Sequence, residues 1–292
     1  MKKVVFTLFL LVLVSLAQKE SAHALEKGML MHLPFEESTK NAVNNQDGSA
    51  KNVVFKQGKE GKGAYFDKSS YLRFPARGNI NYRRGTVEFW LKPNWDGDDG
   101  GYHYFFAGNI TDARNVNSIH ASKKRYQGGV ILGQIDSKAD STGRAIEEAV
   151  VPGGRILDPS SVANWKKGDW HHVAFSWDDQ KRTLKLYMDG FLRATNDKVV
   201  EAAFPSAYES YINIGSSIDE VVFAEAVIDE LRIWNYPLSD MQIAKIAGLS
   251  EFGKSSRGLN PLIFLGVVLS LGTAFLFWRR DSFPVIRRRH EV

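Results

Sequence analysis

The chain has 292 residues, of which 43% are hydrophobic and 24% are charged, and its formal net charge is +5. This composition is typical of a globular protein with one or two domains and a sizeable core. The chain contains no cysteine, which excludes thiol nucleophiles, thiolate metal sites and lipid anchors on cysteine.

Both ends of the chain have the composition of targeting segments. Residues 1–24 open with two lysines, continue through an apolar run and close on Ala-His-Ala, the small-x-small pattern that a signal peptidase cleaves. Residues 259–278 carry no charge and are about long enough to cross the ~30 Å hydrocarbon core of a bilayer as one helix. Residues 279–292 contain five arginines, and positive residues favour the cytoplasmic side. The sequence therefore predicts a signal peptide, an exported body at 25–250, one transmembrane helix and a cytoplasmic tail.

The charged residues are unevenly distributed along the chain. Of the 38 Lys and Arg residues, three lie in 1–24 and five in 279–292. Of the 33 Asp and Glu residues, one and two lie there, so residues 25–278, which contain the body, carry 30 of each. A formally neutral body gives no support to a nucleic-acid partner, which needs a basic surface on the folded domain. A cysteine-free exported body behind a short, lysine-led signal is typical of bacteria, so we expect a periplasmic or extracellular domain on the cell membrane.

The body contains many short strand signals. Apolar or alternating runs with turn signals between them favour a sandwich or barrel of antiparallel strands, and the absence of long helical patterns argues against a parallel α/β fold. The predicted strands lie at 29–35, 63–66, 71–74, 86–91, 104–106, 129–135, 211–214 and 227–234, with a hairpin at 168–190.

The hairpin has the clearest pattern in the chain. Its two runs alternate with the period of two that a half-buried strand requires. The apolar positions are Val173, Phe175 and Trp177 in the first run and Leu184, Leu186 and Met188 in the second. Asp189-Gly190 tolerates the positive φ angles of a tight turn, so a further short strand is expected to turn straight back after it.

The body is expected to end in a short helix and a linker. Ser239 can cap the helix, Gln242 completes a capping box, and Leu238 can pack on Ile243. Residues 251–258 are small and polar and are predicted to link the body to the membrane. The stretch 94–127 is predicted to be an irregular insertion of the functional or mobile kind.

The ordered segments resemble a known family. GKGAYFD from Gly61, YLRFP, GTVEFWLKP, WHHVAFSWD with LKLYMDG, INIG and AVIDELRIWNYPLSDMQI follow one another as in the laminin-G-like branch of the concanavalin A-like jelly rolls. The resemblance covers nearly all of the mature body. It implies an all-β, antiparallel jelly-roll sandwich, here with one C-terminal transmembrane helix. This fold carries carbohydrate binding, adhesion and glycan hydrolysis alike, so function must be argued from sites.

A calcium site is the first candidate. Asp229 shares the phase of apolar Val227, Leu231 and Ile233, so its carboxylate is expected to be hydrogen-bonded, paired or metal-bound. The resemblance implies that the matching Asp often helps to hold a structural calcium ion near the first strand and its loop. The other oxygen donors there are Glu36, Glu37, Asn45 and Asp47. Of these, Glu36 and Asp47 are predicted to bind the ion together with Asp229. The alternative is an Asp bound to backbone amides or an arginine.

The loop after the fourth predicted strand is the candidate ligand site. Its carboxylates can hydrogen-bond sugar hydroxyls or wrap a hard cation, and its aromatic rings can stack on sugars. The candidate residues are Trp95, Asp96, Asp98, Asp99, Tyr102 and His103. The alternative is a solvated turn whose aromatic residues belong to the core.

Catalytic patterns are weak. His171 and His172 are adjacent and point to opposite faces of a strand, which favours structural roles for both. Glycan hydrolysis needs two carboxylates flanking the bond, and Glu88 has no acidic neighbour two residues away. We therefore expect a binding module for carbohydrate or for an envelope protein partner, with no catalytic residues. The alternatives are a glycan-cleaving hydrolase and a structural or adhesion module of the cell envelope.

Overall fold

The computed structural model describes residues 27–109, 118–124, 130–136, 160–197 and 211–249. The predicted signal peptide, linker, transmembrane segment and tail lie outside these residues and stay predictions. The chain divides into two compact units, Met1–Leu249 and Ser250–Val292, and the description concerns the first. Within the described ranges, every helix is too short or too polar to span a bilayer.

The described residues form 16 strands and two short helices. The strands are β1 Met29–Leu33, β2 Lys40–Asn41, β3 Gln46–Asp47, β4 Ser49–Lys51, β5 Val54–Gln57, β6 Lys62–Phe66, β7 Tyr71–Pro75, β8 Arg84–Pro93, β9 His103–Asn109, β10 Ser118–Lys124, β11 Val130–Asp136, β12 His171–Asp178, β13 Thr183–Met188, β14 Phe191–Asn196, β15 Tyr211–Ile214 and β16 Ala226–Trp234. The helices are α1 Ser160–Ala163 and α2 Asp240–Ile246.

The strands pair antiparallel in two main sheets. The large sheet has the order β14-β13-β12-β8-β16-β6-β5, with β1 also paired to β16, and the small sheet has the order β11-β10-β9-β15-β7-β4. This architecture agrees with the predicted sandwich. The predicted strands are confirmed, but β2 to β5 and β10 were not predicted. Strand β10 lies in the stretch 94–127, which is therefore less irregular than predicted, since a strand was expected there only at 104–106.

The hairpin is formed by β12 and β13 as predicted. Val173 lies opposite Met188, Phe175 opposite Leu186 and Trp177 opposite Leu184. These cross-strand pairs place the apolar residues on one face, where they belong to the main buried cluster. Asp189 and Gly190 have φ angles of 52° and 80°, and β14 turns straight back after them.

The core lies between the two sheets. Phe89 of the large sheet and Phe105 of the small sheet are fully buried, with ring centroids 6.0 Å apart. A smaller cluster on the outer face of the large sheet includes Trp234, Leu238 and Ile243. It lies against α2, whose N-terminus has the predicted capping box between Ser239 and Gln242.

A β-bulge in β16 changes the predicted orientation of Asp229. Asp229 lies opposite Trp90 and Arg232 opposite Glu88, so β16 has one residue more than β8 between these pairs. Glu230 has a φ of 51° in this bulge. Ile228 and Leu231 therefore both face the core, and the prediction that Asp229 shares the phase of Leu231 is wrong.

Charged residues are buried on the outer face of the large sheet. Glu88 is fully buried, and it accepts hydrogen bonds from Arg232 at 3.1 Å and pairs with His172 Nε2 at 2.7 Å. Arg232 also pairs with Glu230, whose other partner is His32 at 3.0 Å. The guanidinium thus neutralises two carboxylates on two adjacent strands of the sheet.

Substitution of Arg232 tests the importance of this network. Arg232→Ala leaves the buried Glu88 without its cation, and we expect the free energy of unfolding to fall by ~3 kcal/mol or more. Arg77→Ala is the control, because Arg77 is exposed. Urea denaturation of both variants provides the measurement, and an equal, small effect of the two would contradict the assigned role.

Candidate functional site

The loop of residues 94–102 is held firmly against its surroundings. Asn94 N donates to Glu225 O at 2.9 Å, and Gly97 N donates to Trp165 O at 2.8 Å. A Cβ on Gly97 would overlap the carbonyl oxygen of Val162, so this position requires glycine. Contacts with two other segments therefore order the loop together with its internal hydrogen bonds.

Trp95 is the main anchor of the loop. Its indole is 6% exposed, and Nε1 donates to Ala224 O at 2.9 Å. The ring stacks on His103 with centroids 4.5 Å apart, and Trp165 follows at 6.5 Å. Trp95 belongs to the main buried cluster, where His103 and Trp165 cover its ring. It therefore does not offer the exposed ring face expected from the sequence.

The carboxylates of the loop have different environments. Asp96 Oδ1 accepts a hydrogen bond from Lys167 N at 3.0 Å, which ties the loop to the segment after α1. Asp99 accepts from Gly101 N at 2.9 Å and pairs with His103 Nε2 at 2.9 Å and with Lys123. Asp98 is exposed. Asp96 and Asp99 are exposed as well, but their carboxylates are held by these contacts, so Asp98 fits best the solvated position expected of a ligand contact.

Tyr102 lies at the surface end of the loop. Its side chain is partly buried, with its ring edge-to-face on Tyr104 at a centroid separation of 5.2 Å. The two hydroxyl groups lie 3.4 Å apart. Tyr102 thus combines an apolar ring with a fixed polar tip, and the ligand role predicted for it and for Asp98 stays a prediction.

Lys123 completes a buried charge cluster under the loop. Its side chain is fully buried, Nζ donates to Gly101 O at 3.2 Å, and Nζ lies 5.1 Å from the centroid of the Trp95 ring. It lies opposite His103 in the β9–β10 pair. Lys123 was not predicted as a site residue, because a lysine in a polar run carries no signal of burial and its partner Asp99 is 24 residues away.

The cluster changes the ionisation of its members. Burial alone would raise the pKa of Asp99, but hydrogen bonds from Lys123, His103 and Gly101 outweigh burial and hold this pKa below its usual value. Burial lowers the pKa of His103, despite the nearby Asp99 carboxylate. The folded protein therefore favours a charged Asp99 and a neutral His103.

Asp229, the central residue of the predicted calcium site, binds backbone amides. Asp229 is fully buried; Oδ2 accepts from Lys59 N at 2.7 Å and Glu60 N at 3.0 Å, and Oδ1 accepts from Glu230 N at 2.8 Å. Burial raises the pKa of Asp229 to about 6, although these three donors favour the charged form. The amides turn their positive ends towards the oxygens, where a cation would be repelled.

Glu36 and Asp47 do not complete a cation site around Asp229. Both oxygens of Glu36 accept from Lys62 N, at 3.3 and 3.2 Å. Asp47 is exposed, with Lys40 Nζ 3.9 Å away. Within the described ranges no group of three or more His, Asp or Glu residues could hold a metal ion. This donor set does not fit calcium; Asp229 and Glu36 instead fix the turn between β5 and β6.

The two adjacent histidines have the opposite orientations predicted for them. His171 stacks on Trp165 with centroids 3.8 Å apart, and its Nδ1 lies 3.1 Å from Asp189 Oδ2. His172 faces the outer side of the sheet, where it pairs with Glu88. Each histidine thus has a carboxylate partner that the sequence did not identify.

The fold and its sequence define a family. A family model described as the concanavalin A-like lectin/glucanases superfamily matches residues 66–244, which is more than half of the chain. The chain belongs to this superfamily. A search of curated proteins found no match.

Solved structures of low sequence identity share the fold. Domain 4 of AbnA, an extracellular GH43 arabinanase of Geobacillus stearothermophilus in complex with arabinotriose, matches with a TM-score of 0.55 and 20% identity over 75% of this chain and 98% of that chain. The binding domain of paraclostridial mosquitocidal protein 1 gives 0.52 and 17% over 76% and 52%. The binding domain of botulinum neurotoxin DC, in complex with rat synaptotagmin II, gives 0.53 and 11% over 77% and 52%. The chain thus spans about half the length of these two toxin domains.

The His103 cluster makes stability dependent on pH. Because the folded-state pKa of His103 lies below 6.5, the unfolded chain takes up more protons, and stability falls as the pH drops through 6.5. We expect His103→Gln to show a smaller drop in melting temperature between about pH 7.5 and about pH 5.5 than the wild-type chain does. Asp229, whose pKa is raised from 3.8 to about 6, has the opposite effect: it adds stability as the pH falls through this range. That contribution is the same in the wild-type chain and in His103→Gln, so it cancels in the comparison. Equal drops in the two proteins would count against the cluster.

Calcium is expected to leave the melting temperature unchanged. Both oxygens of Asp229 are occupied by amides, so an ion that binds only the native state has no site there through which to stabilise it. The measurement is thermal unfolding in EDTA and in about 5 mM calcium, with magnesium as the control. A calcium-specific rise that Asp229→Asn abolishes would restore the predicted site.

Proposed function

We propose that the chain is an exported, membrane-anchored module that binds carbohydrate through the loop of residues 94–102 and its neighbours. The observation that carries this proposal is the fixed loop itself. Trp95 and Gly97 attach it to the body, while Asp98 stays exposed and Tyr102 partly exposed. A site that is already ordered loses less conformational entropy when a ligand binds.

The chemistry of the loop suits sugars. A sugar ring has apolar C–H faces that pack on an aromatic ring and hydroxyl groups that need hydrogen-bonding partners. Tyr102 supplies an aromatic ring with a polar tip, and Asp98 supplies a carboxylate acceptor. The superfamily and the fold support this reading, and the arabinotriose bound to the structurally similar arabinanase domain gives a first ligand class to test.

Binding is favoured over hydrolysis by the position of Glu88. This carboxylate is fully buried and bonded to His172 and Arg232, so it does not face a groove that could admit a glycosidic bond. Hydrolysis requires two carboxylates on either side of that bond. An envelope protein remains the other kind of partner that the proposed module would recognise.

The location of the module is part of the proposal. Residues 1–24 would direct export, 259–278 would anchor the chain, and the arginines of 279–292 would stay in the cytoplasm. The linker of 251–258 is short, so the body would sit near the bilayer surface.

Loop variants test the proposed ligand site. We expect the full chain in detergent to bind neutral oligosaccharides, arabinotriose among them, on a glycan array. Tyr102→Ala and Asp98→Ala should each weaken binding about fivefold or more, since each removes one contact of ~1 kcal/mol. Val43→Ala is the control, because Val43 is exposed far along the sequence from the loop. If the chain binds no glycan but binds an envelope protein, the proposed carbohydrate ligand is wrong and the module recognises a protein.

A further inference from the structure

A second polar and aromatic surface lies on the outer side of the small sheet. We name it the Arg73 face; it consists of Lys51, Tyr71, Arg73, Tyr211 and Glu220. The face follows from alternation in β7 and β15, whose inward-facing apolar residues are fully buried in the core. Those inward residues are Leu72, Phe74, Ile212 and Ile214.

The guanidinium of Arg73 is fixed at the centre of this face. Its Nε donates to Asn213 Oδ1 at 2.8 Å, directly across the β7–β15 pair, and Nη2 donates to Glu220 Oε1 at 2.7 Å. Its Cζ lies 4.9 Å from the centroid of the Tyr71 ring and 5.4 Å from that of Tyr211. Two of the five N–H donors are used in these bonds, and the planar group is held in one orientation.

The aromatic part of the face is accessible. Tyr211 is 55% exposed, while the side chains of Arg73 and Glu220 are 26% and 29% exposed. Exposed aromatic rings beside fixed planar polar groups are typical of ligand sites rather than of a solvated surface. The arrangement therefore offers a stacking surface with a hydrogen-bond donor and a hydrogen-bond acceptor beside it.

The single carboxylate of the face, Glu220, holds both of its cations. Glu220 pairs with Arg73 at 2.7 Å, and Lys51 Nζ lies 3.8 Å from its other oxygen. An anionic ligand would have to compete with Glu220 for both cations and would be repelled by it. Hydroxyl groups, in contrast, can accept from the guanidinium and donate to the carboxylate without separating the ion pair. The engagement of both cations by Glu220 therefore favours a neutral polyhydroxylated ligand.

We propose that the Arg73 face binds a neutral sugar residue, with the C–H face of the sugar on Tyr211 and its hydroxyls on Arg73 and Glu220. This inference rests on the proposed function and adds a second contact surface to it. Segment 215–225 supports the connection between the two surfaces. Within it, Glu220 holds Arg73, while the Ala224 and Glu225 carbonyls hold the loop at Trp95 and Asn94.

Affinity measurements on the full chain in detergent test the inference. The probes are neutral arabinan, xylan and β-glucan, and acidic polygalacturonate. We expect Tyr211→Ala to weaken binding to the preferred neutral polymer about tenfold, and Tyr211→Phe to retain it within about twofold, since the ring supplies the contact. Binding should change little between about 50 and about 500 mM salt, because no net charge is neutralised.

Control variants separate the possible outcomes. Phe191→Ala removes another exposed aromatic ring, from β14 of the large sheet, and should bind as the wild-type chain does. Thermal unfolding confirms that Tyr211→Ala is folded, and Glu220→Gln provides a second, isosteric test of the face. Unchanged affinity of Tyr211→Ala beside a loss in Tyr102→Ala would overturn the inference and leave the proposed function standing. If the chain prefers polygalacturonate and salt weakens that binding, the inference that the ligand is neutral is wrong. If the chain binds none of the probes, the proposed carbohydrate-binding function is itself wrong.

Discussion

Strand β16 has to place three charged residues, Asp229, Glu230 and Arg232, in the middle of the large sheet. A β-bulge makes this possible, because it turns Asp229 away from the core while Ile228 and Leu231 remain in it. Each charge then finds a partner on a different element. Asp229 binds the amides of the β5–β6 turn, Glu230 pairs with β1, and Arg232 pairs with β8. The relative positions of the strands around β16 therefore depend on satisfied buried charges as well as on apolar packing.

The segment before β16 extends this constraint to the surface. Residues 215–225 close on themselves through a hydrogen bond from Ala224 N to Gly215 O at 2.8 Å. From this closed segment, Glu220 reaches Arg73, and the carbonyls of Ala224 and Glu225 hold the loop that contains Trp95. The two proposed contact surfaces thus share one scaffold.

The amphipathic strands and the helix could be predicted from the sequence, but the hydrogen bonds and ion pairs between distant residues could not. The alternation of β12 and β13 and the capping box at Ser239 are local signals, so the structure confirms them. The bulge at Glu230 has no such signal, and it reverses the side on which Asp229 lies. Glu88 and Arg232 are 144 residues apart, and only the paired strands bring them together. Trp95 could not be assigned to surface or core, because an aromatic residue in a loop is compatible with both until its neighbours are known.

The central claim is that one ordered sandwich binds carbohydrate through both the loop and the Arg73 face. The most direct test compares the affinity of the Tyr102→Ala, Tyr211→Ala double variant with those of the two single variants on the preferred neutral polymer. Because the two residues belong to separate surfaces, the account predicts that the loss in the double variant equals the product of the two single losses. A folded double variant that binds the polymer as tightly as the wild-type chain would contradict it.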